Sequence, residues 1–351
     1  MKIGFVKIRY YGVRFGVALV SVYIALFLAE IVLWRMEPKQ TLPEMYRGFY
    51  NVRDGRPVLK PGYYGRFDIG STRGEVRVNS YGYRGHEPSA NPRSRVLLIG
   101  DSFTFGALLD QKDTIDARME EKEPGLEVAN LGVIGYNLPE QLGPLREWIL
   151  PANKVVYLFF NNDFQTPLEL TIMDGYPVPR FRNGKLLSDD ELRMTVEKTA
   201  KRVSDLHKFK LISSLRLPRL KTVFKNAYTR FSTPYSQGPA DWWPQEGDRT
   251  KLVPRALAYT REMRDLAVGR NMDFQIAIIP SVEEVRERRH HPLIAEYIAG
   301  IRASEIPVID LLQVLSTDDY WSFDPHFNPK GAKVAADQIY KALKGNNPQV
   351  Q

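Results

Sequence analysis

A short apolar run, Arg95-Val96-Leu97-Leu98-Ile99, stops at Gly100 and is followed by Asp101-Ser102-Phe103-Thr104-Phe105-Gly106. No polar residue alternates with the apolar ones. Both faces of the segment must therefore be covered, as in the strands of a parallel sheet. The pattern repeats along the chain: a helix is expected over residues 113–122, a strand over 126–131, a helix over 138–150 and a third strand over 154–160. Further on, a helix over 252–271 leads into a strand over 274–279, and 306–309 forms a fifth. Strands alternating with helices require a parallel sheet with helices on both faces. The final helix has the clearest limits. Asn328 can cap it, Pro329 takes its first position, Gly345 follows its end, and Val334, Ile339, Ala342 and Leu343 form a buried stripe.

Two stretches break the alternation. Residues 15–34 read FGVALVSVYIALFLAEIVLW, an almost uncharged run that spans about 30 Å as a helix, the thickness of a bilayer core. A cleavable signal would need a small-x-small exit, which Ala29-Glu30-Ile31 does not supply, so an uncleaved anchor is expected. Glu30, near the outer end, can reach the interface or a partner helix, and the interface is the expected one. Lys2, Lys7, Arg9 and Arg14 precede the span, and Arg35, Lys39 and Arg47 follow it. That bias places the N-terminus in the cytoplasm and the rest outside, a single-pass protein of the inner (plasma) membrane. The second break is an insertion at about 166–251. Its residues 193–230 hold eleven Lys/Arg and read as helical, and 231–254 are rich in Pro, Gly and aromatics, including Trp242-Trp243. The chain thus divides into a tail and anchor (1–36), a Gly/Pro/Tyr-rich connector with strand-like pieces (37–94), and an α/β domain (95–345) carrying the insertion.

Composition narrows the chemistry. The chain has no cysteine, which excludes disulfides, thiolate nucleophiles and cysteine-held metals. Of the net charge of +8, half belongs to residues 1–40, with six Lys/Arg against two Glu. The remainder is too mild to indicate a nucleic-acid partner. No glycine-rich segment matches the nucleoside-triphosphate phosphate loop.

In open α/β sheets ligands sit beyond the carboxyl ends of the strands. Ser102 follows the first strand, Gly135 the second and Asn162 the third, while Asp324 and His326 lie after the last strand, just before the terminal helix. A serine hydroxyl needs an adjacent base to become a nucleophile. Of the five histidines (His86, His207, His290, His291 and His326), only His326 sits between a strand end and a strong helix start. His290-His291 lie in an Arg-rich stretch that reads as solvated surface. Asp324 is near enough to fix the ring's tautomer. The N–H groups of Ser102 and Gly135 and the Asn162 amide are candidate donors to an oxyanion. Each piece alone also has a plain reading. Gly-Asp-Ser is a common turn, Gly135 a tight turn, Asn161-Asn162-Asp163 a capping cluster, and Asp324-Pro325-His326 a loop before a capped helix.

Together these segments resemble the SGNH/GDSL hydrolase superfamily, in its membrane-anchored bacterial form similar to alginate-type O-acetyltransferase and esterase domains. Ile99-Gly100-Asp101-Ser102 looks like its first block, Asn130 to Gly135 its second, Asn161-Asn162-Asp163 its third and Asp324-Pro-His326 its last. The histidine follows its aspartate by two residues where the superfamily often has three, which keeps Asp319 and Asp318 as reserve carboxylates. The resemblance implies a flavodoxin-like three-layer α/β/α sandwich and serine ester chemistry with neither metal nor cofactor. It leaves three functions open: an esterase removing acyl groups from an envelope or exported saccharide, an O-acyltransferase using the same triad, and a non-catalytic polysaccharide-binding scaffold. Partners from a polysaccharide export or modification system fit all three. Trp242 and Trp243 either stack on sugar rings or hold the insertion to the core. Upstream, Asn79-Ser-Tyr-Gly82-Tyr-Arg84-Gly85 also resembles a segment of anchored members, and its role is not legible in the sequence.

Overall fold

A computed structural model describes residues 2–36, 49–53, 56–69, 72–164, 170–173, 176–179, 181–182, 185–206, 217, 220–221, 249–322 and 324–345. Contacts divide the chain into two units, one of Met1–Thr41 with Thr199–Tyr235, the other of Leu42–Lys198 with Ser236–Gln351.

In the first unit, helix α1 (Lys2–Met36) holds the apolar span Arg14–Leu33, whose 20 residues have a mean hydropathy of 2.4. That length and apolarity suffice to cross a membrane. Glu30 departs from expectation. Its carboxylate is buried and accepts the Leu220 N–H at 3.0 Å within the same unit. A buried carboxylate needs such a donor, which a side chain directed to the interface would not supply.

The second unit is built on a five-stranded parallel sheet. Its strands are β5 (Ser94–Gly100), β6 (Leu126–Asn130), β7 (Lys154–Phe159), β12 (Asp273–Ile278) and β13 (Val308–Asp310), in the spatial order β13-β12-β7-β5-β6. Read from the β6 edge, the chain order is second, first, third, fourth, fifth, the doubly wound arrangement of flavodoxin-like proteins. Side chains alternate between the faces of each strand. Leu97, Ile99, Val155, Tyr157, Ile276 and Ile278 share a core with α4 (Leu138–Glu147), α6 (Leu252–Val268) and α8 (Pro292–Ala303). The opposite face is covered by α3 (Ile115–Glu120) and α9 (Pro329–Leu343), which pack on each other. Three layers result, as the resemblance implied.

The smaller differences from expectation have local causes. Helix α3 is shorter than 113–122 because residues Gln111–Asp113 form a separate 3-10 turn with Asp110 as its cap. Helix α5 (Asp189–Leu206) starts earlier than 193 because Ser188 and Glu191 form a capping box, each accepting the other's backbone N–H. The Asn328 cap and Pro329 of α9 stand where the sequence puts them.

Residues 49–94 are built onto the sheet unit. The hairpins β1 (Tyr50–Arg53) with β2 (Arg56–Leu59), and β3 (Tyr64–Ile69) with β4 (Thr72–Arg77), bring Phe49, Tyr50, Leu59, Val76 and Val78 into one buried cluster with Phe105, Val133 and Tyr136. Within the insertion the described residues form the hairpins β8 (Leu170–Met173) with β9 (Tyr176–Pro179) and β10 (Phe181–Arg182) with β11 (Lys185–Leu186), followed by α5. Trp242 and Trp243 lie outside the described residues.

Candidate active site

Strand β5 passes into a single helical turn, α2 (Ser102–Phe105), with almost no connection. Glycine at 100 makes this possible: a Cβ there would meet Thr104 Oγ1 at 2.1 Å and the Leu158 carbonyl at 2.7 Å. Asp101 caps the turn, its Oδ1 accepting the Phe103 N–H at 2.9 Å. Ser102 therefore begins the helix at the carboxyl edge of the sheet. It is largely buried, with 7% of its surface exposed.

His326 reaches this serine from the other end of the chain. Its Nε2 lies 2.8 Å from Ser102 Oγ, and its Nδ1 lies 2.5 Å from Asp324 Oδ1. The backbone N–H of His326 also donates to Asp324 Oδ1 at 2.9 Å, so carboxylate and ring are locked in one short turn. A proton on Nδ1 shared with Asp324 leaves the Nε2 lone pair to accept from the serine hydroxyl. Asp101 Oδ2 is a second acceptor for that hydroxyl but stands farther off, at 3.3 Å. The two-residue spacing is accommodated because 324–327 form β15 (Asp324–Phe327), paired with β14 (Tyr320–Trp321). Phe103 stacks on the imidazole with ring centres 4.8 Å apart, and on Phe160 at 4.4 Å, giving the histidine an apolar floor.

Of the reserve carboxylates, Asp319 is engaged elsewhere. Asp319 accepts from Ser316 N and Oγ and pairs with Lys330, while the Asp318 carbonyl accepts from Asn328 Nδ2. Burial alone would raise the Asp324 carboxyl. The hydrogen bond and charge of His326 outweigh burial and hold it below the usual carboxylate range.

Gly135 and Asn162 lie beyond the carboxyl ends of β6 and β7, the two neighbours of β5. Gly135 sits in a turn at φ +82°. The loop leading to it lies directly against α2, since a Cβ on Gly132 would stand 2.3 Å from the Phe105 nitrogen. Asn162 belongs to a 3-10 turn, Asn161–Phe164, and its amide hydrogen-bonds the Asp101 carboxylate. Beneath it, Asp163 accepts from Gln141 Nε2 at 2.6 Å, Tyr157 Oη at 3.0 Å and Phe160 N at 3.0 Å. Burial, then the nearby Asp101, push the Asp163 carboxyl well above its ordinary range. Asp101 itself is raised by burial, against the hydrogen bonds it accepts.

One sequence expectation is corrected. His290 is not a solvated surface residue: it is held between Glu284 Oε1, 3.2 Å from Nδ1, and Asp310 Oδ2, 3.0 Å from Nε2. The arginines around it suggested solvent, but Asp310 comes from the end of β13, out of reach of a local reading. Sequence reasoning placed Asp163 and Asn130 in motif blocks without seeing their partners: Asp163 accepts from Gln141, and Asn130 Nδ2 donates to the Thr104 carbonyl and to Asp116 Oδ1 at 2.8 and 2.7 Å. The only available signal was a polar residue closing an otherwise apolar strand.

No family model and no curated protein matches the chain. Among solved structures it is similar to a GDSL-like lipase from Bacteroides thetaiotaomicron (12% identity, TM-score 0.39, covering 74% of this chain and 93% of that one). It is also similar to a member of the lipolytic protein G-D-S-L family from Veillonella parvula (12%, TM-score 0.38, 72% and 98%) and to the aryl esterase of M. smegmatis (12%, TM-score 0.40, 72% and 100%). Scores and identities this low leave the chemistry of the chain to be read from its own site.

Proposed function

We propose that the chain is a serine-dependent ester hydrolase of the SGNH type, with Ser102 as nucleophile, His326 as general base and Asp324 as the carboxylate that orients it. The observation that carries this reading is the continuous line from Asp324 Oδ1 to His326 Nδ1 at 2.5 Å and from His326 Nε2 to Ser102 Oγ at 2.8 Å. Ser102 Oγ attacks the ester carbonyl carbon while its proton passes to His326 Nε2. Asp324 stabilises the imidazolium that forms. The tetrahedral adduct collapses, the ester C–O bond breaks, and His326 returns the proton to the departing alkoxide. A water deprotonated by the same histidine then attacks the acyl carbon, the bond from that carbon to Ser102 Oγ breaks, His326 returns the proton to Oγ, and the acid is released.

The N–H groups of Ser102 and Gly135 and the Asn162 amide are the proposed oxyanion donors. Their support is positional: they come from three adjacent strand ends around the nucleophile. In the resting site the Asn162 amide is held by Asp101, so this role requires it to turn toward the oxyanion. For the substrate we infer an acylated, probe-testable class, an acetylated envelope or exported saccharide. The support is the apolar span of α1 and the distribution of basic residues around it, which favour a domain outside the inner membrane.

The test is incubation of the purified full chain with an acetylated oligosaccharide and, separately, with an acetyl donor plus unmodified oligosaccharide. Acetate release abolished by Ser102→Ala supports the hydrolase. Transfer to sugar hydroxyls without appreciable acetate release replaces it with an O-acyltransferase using the same residues. Neither reaction, together with saccharide binding that Ser102→Ala leaves intact, leaves the scaffold.

A further inference from the structure

Arg84 lies in the Asn79–Gly85 segment, whose role is not legible from its residues alone, and its side chain is almost completely buried at 1% exposure. The segment is tightly shaped. Asn79 Oδ1 accepts the N–H groups of Tyr81 and Tyr83 at 3.1 and 3.0 Å, and Gly82 turns at φ +84°. This turn delivers Arg84 beneath α2, where its backbone bridges both Val78 and Asn130.

All five guanidinium N–H donors are engaged. Nη1 donates to the carbonyls of Phe105 and Gly106 at 2.8 and 2.7 Å. Nη2 donates to those of Leu109 and Glu75 at 2.8 and 3.0 Å, and Nε to Gln111 Oε1 at 3.1 Å. The Phe105 ring lies under the guanidinium, 4.7 Å from Cζ. Two of the carbonyls belong to the end of α2, whose last turn closes on Gly106 in the left-handed conformation at φ +81°. A third end carbonyl, that of Thr104, takes its hydrogen from Asn130 Nδ2. The carbonyls at a helix end have no partner within the helix and must find donors elsewhere.

Ser102 stands at the other end of the same single turn, about 5.4 Å away along the axis. A one-turn helix has no length over which to absorb a displacement, and fixing its far end fixes the serine. We propose that Arg84 is a positioning residue for the nucleophile: with Asn130 it clamps the C-terminal carbonyls of α2 and so sets Ser102 Oγ against His326 Nε2. The segment preceding the sheet is then part of the reaction centre rather than a tether to it. The proposal rests on Ser102 acting as nucleophile, but its structural half is testable separately.

Arg95 supplies the control. It is equally buried, pairs with Glu127 and donates to the Pro151 and Ser89 carbonyls, but it lies at the amino end of β5, about 20 Å from Ser102 by strand rise. The experiment compares Arg84→Lys, Asn130→Ala and Arg95→Lys in the full chain. Hydrogen exchange is followed at the amides of Phe105, Gly106 and Ala107, which bond to Asp101 and Ser102 carbonyls. Turnover of p-nitrophenyl acetate is measured at a temperature where each variant is folded. In Arg84→Lys and Asn130→Ala those three amides are expected to exchange about tenfold faster than in the parent, and kcat to fall about 10–100-fold with KM within about twofold. Arg95→Lys is expected to lose thermal stability while keeping both quantities within about twofold.

Unchanged exchange at 105–107 in a folded Arg84→Lys overturns the clamp whatever the enzyme does. An equal fall of kcat in Arg95→Lys reduces Arg84 to a general stability residue and also overturns it. If Arg84→Lys does not fold, Asn130→Ala carries the test on the same amides. A parent chain without esterase turnover, combined with faster exchange in the variants, overturns the serine hydrolase reading and, with it, the positioning role, while leaving the structural clamp established.

Discussion

Two histidines stand at the carboxyl edge of the sheet unit, and their partners give them opposite characters. His326 lies between one carboxylate, Asp324, and one hydroxyl, Ser102. His290 lies between two carboxylates, Glu284 and Asp310. Although burial works against it, hydrogen bonds that its ring N–H groups donate to both carboxylates raise His290 to about 9. At neutral pH it is an imidazolium with both nitrogens committed, a strut between the start of α7 (Val282–Glu287) and the end of β13. Glu284 is itself fixed by the Ser281 capping box and by the His291 N–H. A ring held this way has no lone pair to offer. The difference teaches that a nearby carboxylate does not make a histidine a base: the second partner decides, and it must carry a proton to give up.

The comparison can be broken by exchanging the roles. The largest expected effect is His326→Gln, which removes the base: esterase kcat should fall about 10³–10⁵-fold while the thermal midpoint barely moves. Next is Asp324→Asn, expected to lower kcat about 10²–10⁴-fold by releasing the ring's tautomer, again with little effect on folding. A large loss of stability in either would show that His326 is also a strut.

His290→Gln should do the reverse. Esterase kcat stays within about twofold, while unfolding free energy in urea falls by about 2 kcal/mol near neutral pH. Because the folded-state value of His290 lies above its unfolded value of 6.5, the stabilisation is complete below pH 6.5 and disappears as pH rises through about 9. The difference in unfolding free energy between parent and His290→Gln should therefore shrink across that window. The smallest effect is Asp310→Asn, which leaves one carboxylate on His290 and should move the upper end of the window downward. A parent-minus-variant difference that stays flat from pH 6 to about 9.5 would remove the charged strut from the account.

The same contrast explains what the sequence disclosed. Ser102 was placed by sequence because it follows an apolar strand almost directly, and the doubly wound order of the strands sets the ends of β6 and β7 on either side of that strand's end. His326 was legible because Asn328 and Pro329 mark the helix start beside it. The pairing of Asp324 with Nδ1 is equally local, two residues away. His290 was misread because its neighbours in sequence, Arg286, Arg288 and Arg289, suggest solvent, whereas Asp310 arrives from a strand 20 residues later. Arg84 was unreadable for a stronger reason. Four of its five acceptors are backbone carbonyls, which every residue has and no motif marks. The oxyanion donors fall between these cases. Their positions follow from strand ends, but the direction of the Asn162 amide depends on the buried Asp101, whose engagement is a matter of packing.

The most direct test of the central claim is to treat the full chain with a fluorophosphonate and locate the adduct by intact mass and peptide mapping. The account predicts one adduct per chain, on Ser102, formed at a rate that His326→Gln reduces at least about a hundredfold. No adduct at all, or an adduct on another serine at a rate indifferent to His326, would contradict it.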